Sequence, residues 1–510
     1  MRARFWRRAG LLPVAALTFL AAAPAASADD PFFTSEDLMI TLTDPATSEA
    51  TAIISSGDEV GDFFFEGIPD GLGAMPGPDG AVEVFVNHEQ SRVPFRGFAD
   101  FDWSSVSHLT LDQSGGVTAG SVALPDSAGF QRFCSSTMAG PDEGLSSYLY
   151  FTGEEAPEPL EVPPGAPYGP DPAYAPDNLR QSGYAVVLDP VTGDFTQVAG
   201  MGRHNHENSM VLPGDWDQIA ILSGDDTFSA PSSQLYLYLA DDEDAIWADQ
   251  GSLWAFRVTH DDDGKVSAAN PFNEANDYGD ISGDEHFRGR FIRVPTKIAK
   301  GLTAAEPQQA LEDWSNAHNV FQFIRVEDTA YDPNVGEGEN PVMYFTDTGS
   351  GSAVPDPDTG RLTGGGSGPY GRGRVFRMEF APDNPRKVVD LSIVLDGDAP
   401  TNPISPAMLN PDNLGISFDS LMVQEDTSSG HNARVLRYDL ETGDWSVVAS
   451  VNTLGWETSG IIDASAFYGP GSWLLDVQAH SIFVEGPTLI DGVNYKTEGG
   501  QLILLTVDGS

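Results

Sequence analysis

Residues 184–193 read YAVVLDPVTG and residues 434–443 read RVLRYDLETG, two versions of one pattern in a single chain. In each, a short run rich in apolar and β-branched residues leads into Asp-x-x-Thr-Gly. The aspartate can accept hydrogen bonds from the backbone that follows it, and the glycine allows a positive φ. The pattern therefore predicts a strand that ends in a tight turn.

Related strands recur along the chain and group into roughly six units of irregular length, which start near Gly67, Gln131, Gly202, Arg325, Asn410 and Gly455. Repeated sheets joined by turns rich in the 54 Gly and 37 Pro predict an all-β fold, a six-bladed β-propeller. A double-sheet sandwich is the alternative, but a single repeating unit over this length argues against it. We expect residues 29–510 to form one propeller domain. An insertion over about residues 260–324, between the third and fourth units, should contain a short surface helix.

The first 28 residues have the layout of an export signal. Four arginines within residues 2–8 precede an apolar stretch at 11–20, and Ala26-Ser27-Ala28 precede Asp29. We predict cleavage after Ala28 and a secreted, periplasmic or cell-surface protein, with general and twin-arginine export both open. The apolar stretch is too short to span a membrane, and no comparable run follows it, so we expect no membrane anchor.

Composition narrows the possible partners. The chain has 76 Asp+Glu against 26 Lys+Arg, a net charge of −50, so nucleic acid is excluded as a partner because such a surface repels its backbone. A phosphorylated substrate would be repelled too, unless cations neutralise the carboxylates near the site. The acidity is therefore either an adaptation to solubility or salt, or partly a means of holding divalent metals.

Cys134 is the one cysteine, so no intrachain disulfide can form, and stability must come from packing, from metals or from both. A lone thiol in an exported protein is open to oxidation unless it is buried or ligated. A buried core thiol and a metal ligand or nucleophile both fit this residue.

Polar residues recur at the starts of the units, and in a propeller the first residues of each inner strand line the central channel. The groups are Asp70 with Glu89, Cys134 with Glu154 and Glu155, His206 and Glu207 with Asp225 and Asp226, Arg325 and Glu327 with Asp347, Asp412 with Glu425 and Asp426, and Glu457 with Gln478 and His480. Carboxylate oxygens at this density suit calcium, whereas a thiolate suits a softer ion such as iron. His204 and His206 are either a metal pair or a surface His204 beside a channel-facing His206.

Several of these segments, taken in order, resemble the motifs of the PhoX-type bacterial alkaline phosphatases over most of the chain after the signal. They are Gly67 to Ala74, Val86-Asn87-His88-Glu89, Cys134, Gly153-Glu154-Glu155, Gly202-Arg203 with His206-Glu207, Arg325 with Glu327-Asp328, and Pro411-Asp412-Asn413-Leu414. The resemblance implies an exported six-bladed propeller with phosphomonoesterase activity and an active site that holds iron and calcium. It also implies that Cys134 binds iron, that Glu207 and Glu327 are metal ligands, and that Arg325 holds the substrate phosphate.

The sequence thus predicts a metal-dependent phosphatase with calcium and iron as cofactors, a small-molecule phosphate ester as substrate, and a monomeric state. Arg325 and Cys134 are the predicted catalytic residues. The predicted metal ligands are Cys134, Glu89, Glu154, Glu155, Glu207, Asp226, Glu327, Glu425 and Glu457. The alternatives are a calcium-stabilised propeller that binds a ligand without turnover, and a hydrolase of another ester such as a phytate or a lactone.

Overall fold

The computed structural model describes residues 30–90, 103–156, 158–161, 165–168, 179–227, 233–266, 277–303, 306–336, 338–427, 429–490 and 493–508. The predicted export signal at residues 1–28 lies outside these residues, as does the 267–276 part of the predicted insertion. Within the described ranges, no helix has the length and apolar character that crossing a membrane requires.

Strands make up most of the described chain. Numbered in chain order, they are β1 Ile40–Leu42, β2 Ser48–Ser55, β3 Glu59–Val60, β4 Phe63–Phe64, β5 Pro69–Pro76, β6 Val82–His88, β7 Ser105–Leu111, β8 Val117–Leu124, β9 Phe133–Ala139, β10 Leu149–Glu154, β11 Pro159–Glu161, β12 Leu179–Gln181, β13 Ala185–Leu188, β14 Phe195–Val198, β15 His206–Leu212, β16 Ile219–Asp225, β17 Leu235–Ala240, β18 Ser252–Asp261, β19 Gly264–Lys265, β20 Phe287–Arg293, β21 Val326–Tyr331, β22 Val342–Asp347, β23 Val354–Pro355, β24 Leu362–Thr363, β25 Arg374–Ala381, β26 Asn384–Asp396, β27 Pro411–Ile416, β28 Ser420–Glu425, β29 Arg434–Asp439, β30 Trp445–Val451, β31 Glu457–Asp463, β32 Ser472–Ile490 and β33 Val493–Val507. The α-helices are α1 Glu243–Trp247, α2 Thr296–Ala299, α3 Pro307–Ala317 and α4 Ser465–Tyr468.

The Asp-x-x-Thr-Gly segments form the tight turns that their sequence predicts. Asp189 Oδ1 accepts hydrogen bonds from the backbone of Val191 and Thr192 at 2.8 and 3.0 Å, and Gly193 has a φ of 74°. Asp439 and Gly443 repeat this geometry, with a φ of 76° at the glycine. Each turn joins two antiparallel strands, β13 to β14 and β29 to β30.

Antiparallel runs of four strands are the repeating element of the fold. Four sheets contain one run each, in the orders β5-β6-β7-β8, β9-β10-β13-β14, β27-β28-β29-β30 with β1 added, and β31-β32-β33-β2. A larger sheet contains two more runs, β15 to β18 and β21-β22-β25-β26, which are joined edge to edge through β20.

The first strands of these runs meet at the centre of the molecule. Strands β5, β9, β15, β21, β27 and β31 each contact the next, and β31 returns to contact β5. We call these six strands the ring strands. Sheets that share such a ring and extend outward from it form an all-β, propeller-like arrangement, as the sequence predicts.

Noncovalent pairing closes this ring. Strand β2, near the start of the described chain, pairs with the last strand β33 over Ser48 to Ser55, so one sheet is built from both ends of the chain. With a single cysteine, no disulfide can secure this contact. Its stability comes from the β2–β33 hydrogen bonds and from buried side chains such as Trp473, which is completely shielded from solvent.

Helix α3 lies between β20 and β21 in the chain, within the segment where the sequence predicts a surface helix. Pro307 occupies its first turn, where a missing backbone N–H costs nothing, and Leu311 is buried against the sheets. The Gln308 side chain donates hydrogen bonds to Asn205 and Thr227. The helix therefore supports the loop that leads into ring strand β15.

Candidate active site

Acidic and thiol side chains cluster where the ring strands begin. Asp70, Cys134, Glu207, Glu327 and Asp412 are each the second residue of their ring strand. In β5, β9, β15, β21 and β27 the ring strand has one residue more than its partner strand at that point. A β-bulge redirects a side chain locally, so these irregular starts can turn polar groups toward one another.

The neighbouring strands deliver a second set of carboxylates to the same end. In most of these hairpins the last residues of the second strand lie opposite the first residues of the ring strand, as in the pairs His206 with Asp225 and Val326 with Asp347. The residues that follow these second strands include Glu89, Glu155 and Asp226. Antiparallel pairing thus brings both ends of each hairpin to the end of the ring where the ring strands begin.

Two groups of side chains are close enough to hold a cation. Ligand atoms of Cys134, Glu155 and Glu207 lie within 4.8 Å of one another, and the same holds for Glu207, Asp226 and Glu327. Glu207 belongs to both groups, so we call them together the Glu207 cluster. The carboxylates of Glu207, Asp226 and Glu327 are almost completely buried.

Arg325 borders the Glu207 cluster. Its Nε and Nη2 donate to the two carboxylate oxygens of Asp226 at 2.8 and 2.7 Å, and Nη2 lies 3.4 Å from Glu327 Oε1. The Arg325 backbone has a φ of 63° and its N–H donates to Ser233 Oγ at 2.7 Å. Although burial opposes the charged form, Asp226 and Glu327 raise the pKa of the guanidinium well above its ordinary value. The group is thus a permanent cation among carboxylates.

The carboxylates need cations to stay ionised together. Burial, followed by repulsion from neighbouring carboxylates, raises the pKa values of Glu155, Glu207, Glu327 and Asp412 well above those of ordinary carboxyl groups. The same two causes raise the pKa of Asp70 to about 7. Such shifts measure the cost of holding negative charge in a dry, crowded site.

Two carboxylate oxygens in this site lack a hydrogen-bond donor in the described chain. Glu207 Oε1 and Asp412 Oδ1 are buried and make no hydrogen bond within the described part of the chain. The other oxygen of Glu207 accepts from Ser135 Oγ at 2.7 Å, which holds the carboxylate in place. A buried acceptor without a partner is costly, and a bound cation satisfies it. The residues present therefore fit metal ions.

Cys134 is partly shielded and surrounded by acids. Burial, and then Asp70, Glu207 and Glu155, raise the pKa of its thiol well above the usual value. Its backbone carbonyl accepts from Asn87 Nδ2 at 2.6 Å, and Asn87 in turn accepts from the buried Tyr150 hydroxyl. The position of Cys134 is thus set by the packing behind it, and its thiolate would form only beside a cation.

The remaining predicted ligands are placed differently. Glu154 lies against Arg180 at 2.8 Å, and Glu425 accepts from Arg434 through both oxygens at 2.7 and 2.8 Å. Both carboxylates are therefore already compensated by an arginine of the chain, and neither belongs to a metal-sized group of the described residues. Glu89 accepts from Gln478 and belongs to neither metal-sized group of the described residues, although its charge acts on Cys134 and Glu155.

Glu457 lies near a different cation. Its Oε2 is 3.6 Å from His480 Nε2, and His480 Nδ1 lies 2.9 Å from Glu498. Although burial opposes the charged ring, hydrogen bonds with Glu457 and Glu498 raise the pKa of His480 to about 11. His480 is therefore protonated at neutral pH and compensates Glu457.

The two histidines at residues 204 and 206 are both buried, so the expectation of a surface His204 is wrong. Their rings lie 3.8 Å apart, and burial lowers the pKa of His204 to about 4. His206 contacts Ser223 and Gly202. Within the described residues, neither histidine belongs to a metal-sized group.

Asp70 and Asp412 were placed in the channel by their sequence position but were not among the predicted ligands. Asp70 accepts from Ser459 and Gln478, while Asp412 keeps one buried oxygen without a partner. The signal was present, because both occupy the same place in their units as Glu207 and Glu327.

Comparisons with known proteins agree with this architecture. The family model described as alkaline phosphatase PhoX matches residues 161–463, more than half of the chain. Cys134 and Glu89 lie before the matched region. No curated protein matches the chain significantly.

Solved structures resemble the whole chain. Pseudomonas fluorescens PhoX in complex with vanadate, a transition state analogue, is 16% identical with a TM-score of 0.59, over 94% of this chain and 98% of that one. A PQQ-bound aldose sugar dehydrogenase from Streptomyces coelicolor is 11% identical with a TM-score of 0.32, over 91% and 99% of the two chains. A Penicillium chrysogenum α-L-arabinanase complexed with arabinobiose is 9% identical with a TM-score of 0.38, over 90% and 98%. The first of these likenesses shows the fold.

Proposed function

The chain belongs to the PhoX family of alkaline phosphatases, and we propose that it is a secreted, metal-dependent enzyme that hydrolyses small phosphate monoesters in the central channel of a six-bladed propeller. The observation that carries the proposal is the Glu207 cluster beside Arg325. Buried carboxylates suited to cations and a permanent guanidinium meet where the ring strands begin, which is the combination that phosphoryl transfer requires.

We assign the metals by the chemistry of the donors. Cys134, Glu155 and Glu207 would hold iron, since a thiolate favours a softer ion, and the all-oxygen group of Glu207, Asp226 and Glu327 would hold calcium. Bound metals would polarise a phosphoryl oxygen and activate a nucleophile. Asp412 is a further candidate ligand, as are Glu89 and Glu457. Glu154 and Glu425 are left out of the set because, unlike Asp226, they pair with an arginine without belonging to either metal-sized group of the described residues.

Arg325 would bind and orient the phosphate. Its side chain is 22% exposed, whereas Asp226 and Glu327 are 0% and 2% exposed, so an entering anion meets the guanidinium before it meets the acids. Asp226 fixes the plane of the guanidinium through two hydrogen bonds. A preoriented cation of this kind stabilises charge on the equatorial phosphoryl oxygens without reorganisation during the reaction.

The remaining assignments extend the same proposal. Cleavage after Ala28 would release a single propeller domain of residues 29–510 outside the cytoplasm, acting as a monomer. The six runs of four strands around the ring strands support the blade count, with β20 and α3 in the insertion between the third and fourth.

Metal analysis of the purified protein, combined with an assay of p-nitrophenyl phosphate hydrolysis, tests the function. We expect bound calcium and iron and hydrolysis at alkaline pH. A protein that carries the metals but is inert towards a panel of phosphate esters would instead be a calcium-stabilised binding propeller.

Replacing the thiol tests the iron assignment. We expect Cys134→Ala to lose iron and phosphatase activity together, while calcium content and fold persist, because only the first group of the Glu207 cluster contains the thiolate. A thiol that only fills space would cost about 1 kcal/mol of stability and leave catalysis intact. Ser136→Ala, two residues further along β9, is the matched control and should retain iron.

A further inference from the structure

A cationic pocket of about 900 Å³ lies at β18, β20 and β26. Its lining includes the cationic and imidazole side chains of Arg257, His260, Lys265, Arg288, Arg290 and Lys387, and no carboxylate of the described residues lines it. We call it the outer pocket. Five of the 26 Lys and Arg residues of the chain line this pocket, although the chain as a whole has a net charge of −50.

Strand register places these side chains on one face. Arg257 is the direct cross-strand partner of Arg290, and Arg290 is the partner of Lys387, which makes one row across three strands. His260 is the partner of both Lys265 and Arg288, which makes a second row. Val258, Gly289 and Val388 form the row next to the first one. They alternate with its cations along the strands, and they are buried. The cations therefore share the solvent face of the sheet.

Such an arrangement is unfavourable without an anion. Like charges placed directly opposite one another on adjacent strands destabilise a sheet. Burial, and then Arg290, lower the pKa of Arg257, and Arg257 Nε is a buried donor without a hydrogen bond in the described ranges. The protein therefore holds positive charge here at a cost to its own stability.

The cations of the outer pocket differ from the arginines elsewhere in the described chain that pair with acids. Elsewhere in the described chain, arginines pair with acids, as Arg180 does with Glu154, Arg374 with Asp396 and Arg434 with Glu425. None of the lining residues forms an ion pair with a carboxylate among the described residues, although acids outnumber cations almost threefold.

We propose that the outer pocket is a second anion site that binds a compact polyanion carrying several phosphate or sulfate ester groups. Adjacent strands lie about 5 Å apart, and residues two apart along a strand lie about 7 Å apart, so the two rows cover a patch of about 10 by 7 Å. That area suits a small molecule with several anionic groups, each of which an arginine can bind through two donors. One sulfate or phosphate ion would engage only part of it.

The outer pocket is separate from the proposed phosphatase site. Strand β18 is the last strand of the four-strand run that begins with ring strand β15. In the same way, β26 is the last strand of the run that begins with ring strand β21. Three strand spacings correspond to about 14 Å, so a ligand of this size cannot reach the Glu207 cluster from the outer pocket.

Calorimetric titration of the metal-loaded protein with sucrose octasulfate tests the proposal, because this probe carries no phosphate ester for the enzyme to cleave. We expect saturable binding that Arg290→Gln weakens at least about 10-fold, since Arg290 is the central cation of its row. The matched control is Arg386→Gln. Arg386 is the neighbour of Lys387, but its guanidinium lies over Trp254 on the opposite face of the sheet.

Thermal melting gives a second readout. Without the probe, Arg290→Gln should melt at a higher temperature than the wild type, since it removes repulsion between opposed cations, and it should lose the stabilisation that sucrose octasulfate gives the wild type. Competition by micromolar inositol hexakisphosphate, in buffer with excess magnesium, then shows which ester binds more tightly. Absence of saturable binding by the wild type, equal weakening in both variants, or loss of p-nitrophenyl phosphate hydrolysis in Arg290→Gln would overturn the proposal.

Discussion

Excess EDTA is expected to abolish phosphatase activity and to lower the melting temperature by about 10 °C or more. Among the described residues, Arg325 pairs with Asp226 and Glu327, and Arg132 acts on Glu155, so two guanidinium groups face the four buried carboxylates of the Glu207 cluster. Removing metals leaves like charges close together in a site of low dielectric, so the binding free energy of the metals is also folding free energy. Differential scanning calorimetry before and after chelation measures the change.

Restoring calcium and iron separately distinguishes their roles. Calcium alone should recover most of the lost stability, while activity should need both ions. An unchanged melting temperature in excess EDTA would show that the Glu207 cluster holds no structural cation.

The metal-free protein should also become less stable as the pH rises. Burial and Glu89 raise the pKa of Asp70 to about 7, and burial raises that of Asp328 to about 6. A carboxyl group with a raised pKa in the folded chain contributes stability that is complete below its unfolded pKa near 4 and is lost as pH rises through the folded value. Melting temperatures of metal-free protein should thus fall between about pH 4 and pH 7. The metal-loaded protein should show a weaker decline, because cations held by the neighbouring Glu207 cluster favour ionised carboxylates. Identical profiles for the two forms would contradict the proposal that this cluster binds metal ions.

Sequence reasoning succeeds here where the chemistry is local. The turns at Asp189 and Asp439 depend on side chains within five residues, so their hairpins could be predicted from the pattern alone. The gathering of Glu207, Glu327 and Cys134 followed from one further premise, that repeated units place equivalent residues at the same end of a ring. The positions at the start of a ring strand are equivalent even though the residue types differ.

Other features depend on contacts distant in sequence. Strand β2 pairs with β33 across nearly the whole chain, and β20 joins two runs of strands into one sheet, neither of which leaves a local pattern. Whether a carboxylate faces a metal or an arginine is also decided by another strand. Glu154 and Glu155 are adjacent in sequence, yet Arg180 takes the first while the second joins the Glu207 cluster. Because neighbouring residues of a strand point in opposite directions, a step of one residue decides whether a carboxylate pairs with an arginine or joins the metal-sized group.

Arg325→Lys is expected to lower kcat/KM about 10- to 1000-fold, with metal content and melting temperature little changed. Lysine keeps the charge but loses the planar pair of donors, whose contribution is greatest in the transition state, where charge on the phosphoryl oxygens is best matched. Steady-state kinetics with p-nitrophenyl phosphate and metal analysis of the variant measure both quantities.

The opposing interpretation is that Arg325 only compensates Asp226, and the chain supplies a matched control for it. Arg434 makes the same two-donor contact, through Nε and Nη2, with both oxygens of Glu425, but its side chain is 7% exposed against 22% for Arg325. Arg434→Lys therefore removes a more deeply buried pair, outside the Glu207 cluster, and it should lower stability while leaving kcat/KM unchanged. If the two variants instead behave alike, with full activity and reduced stability, Arg325 is a structural counter-ion. If Arg325 binds the phosphate, only Arg325→Lys should have a kinetic defect. A group that contacts the reacting phosphoryl oxygens stabilises the transition state, so its loss lowers kcat/KM even when the melting temperature is unchanged.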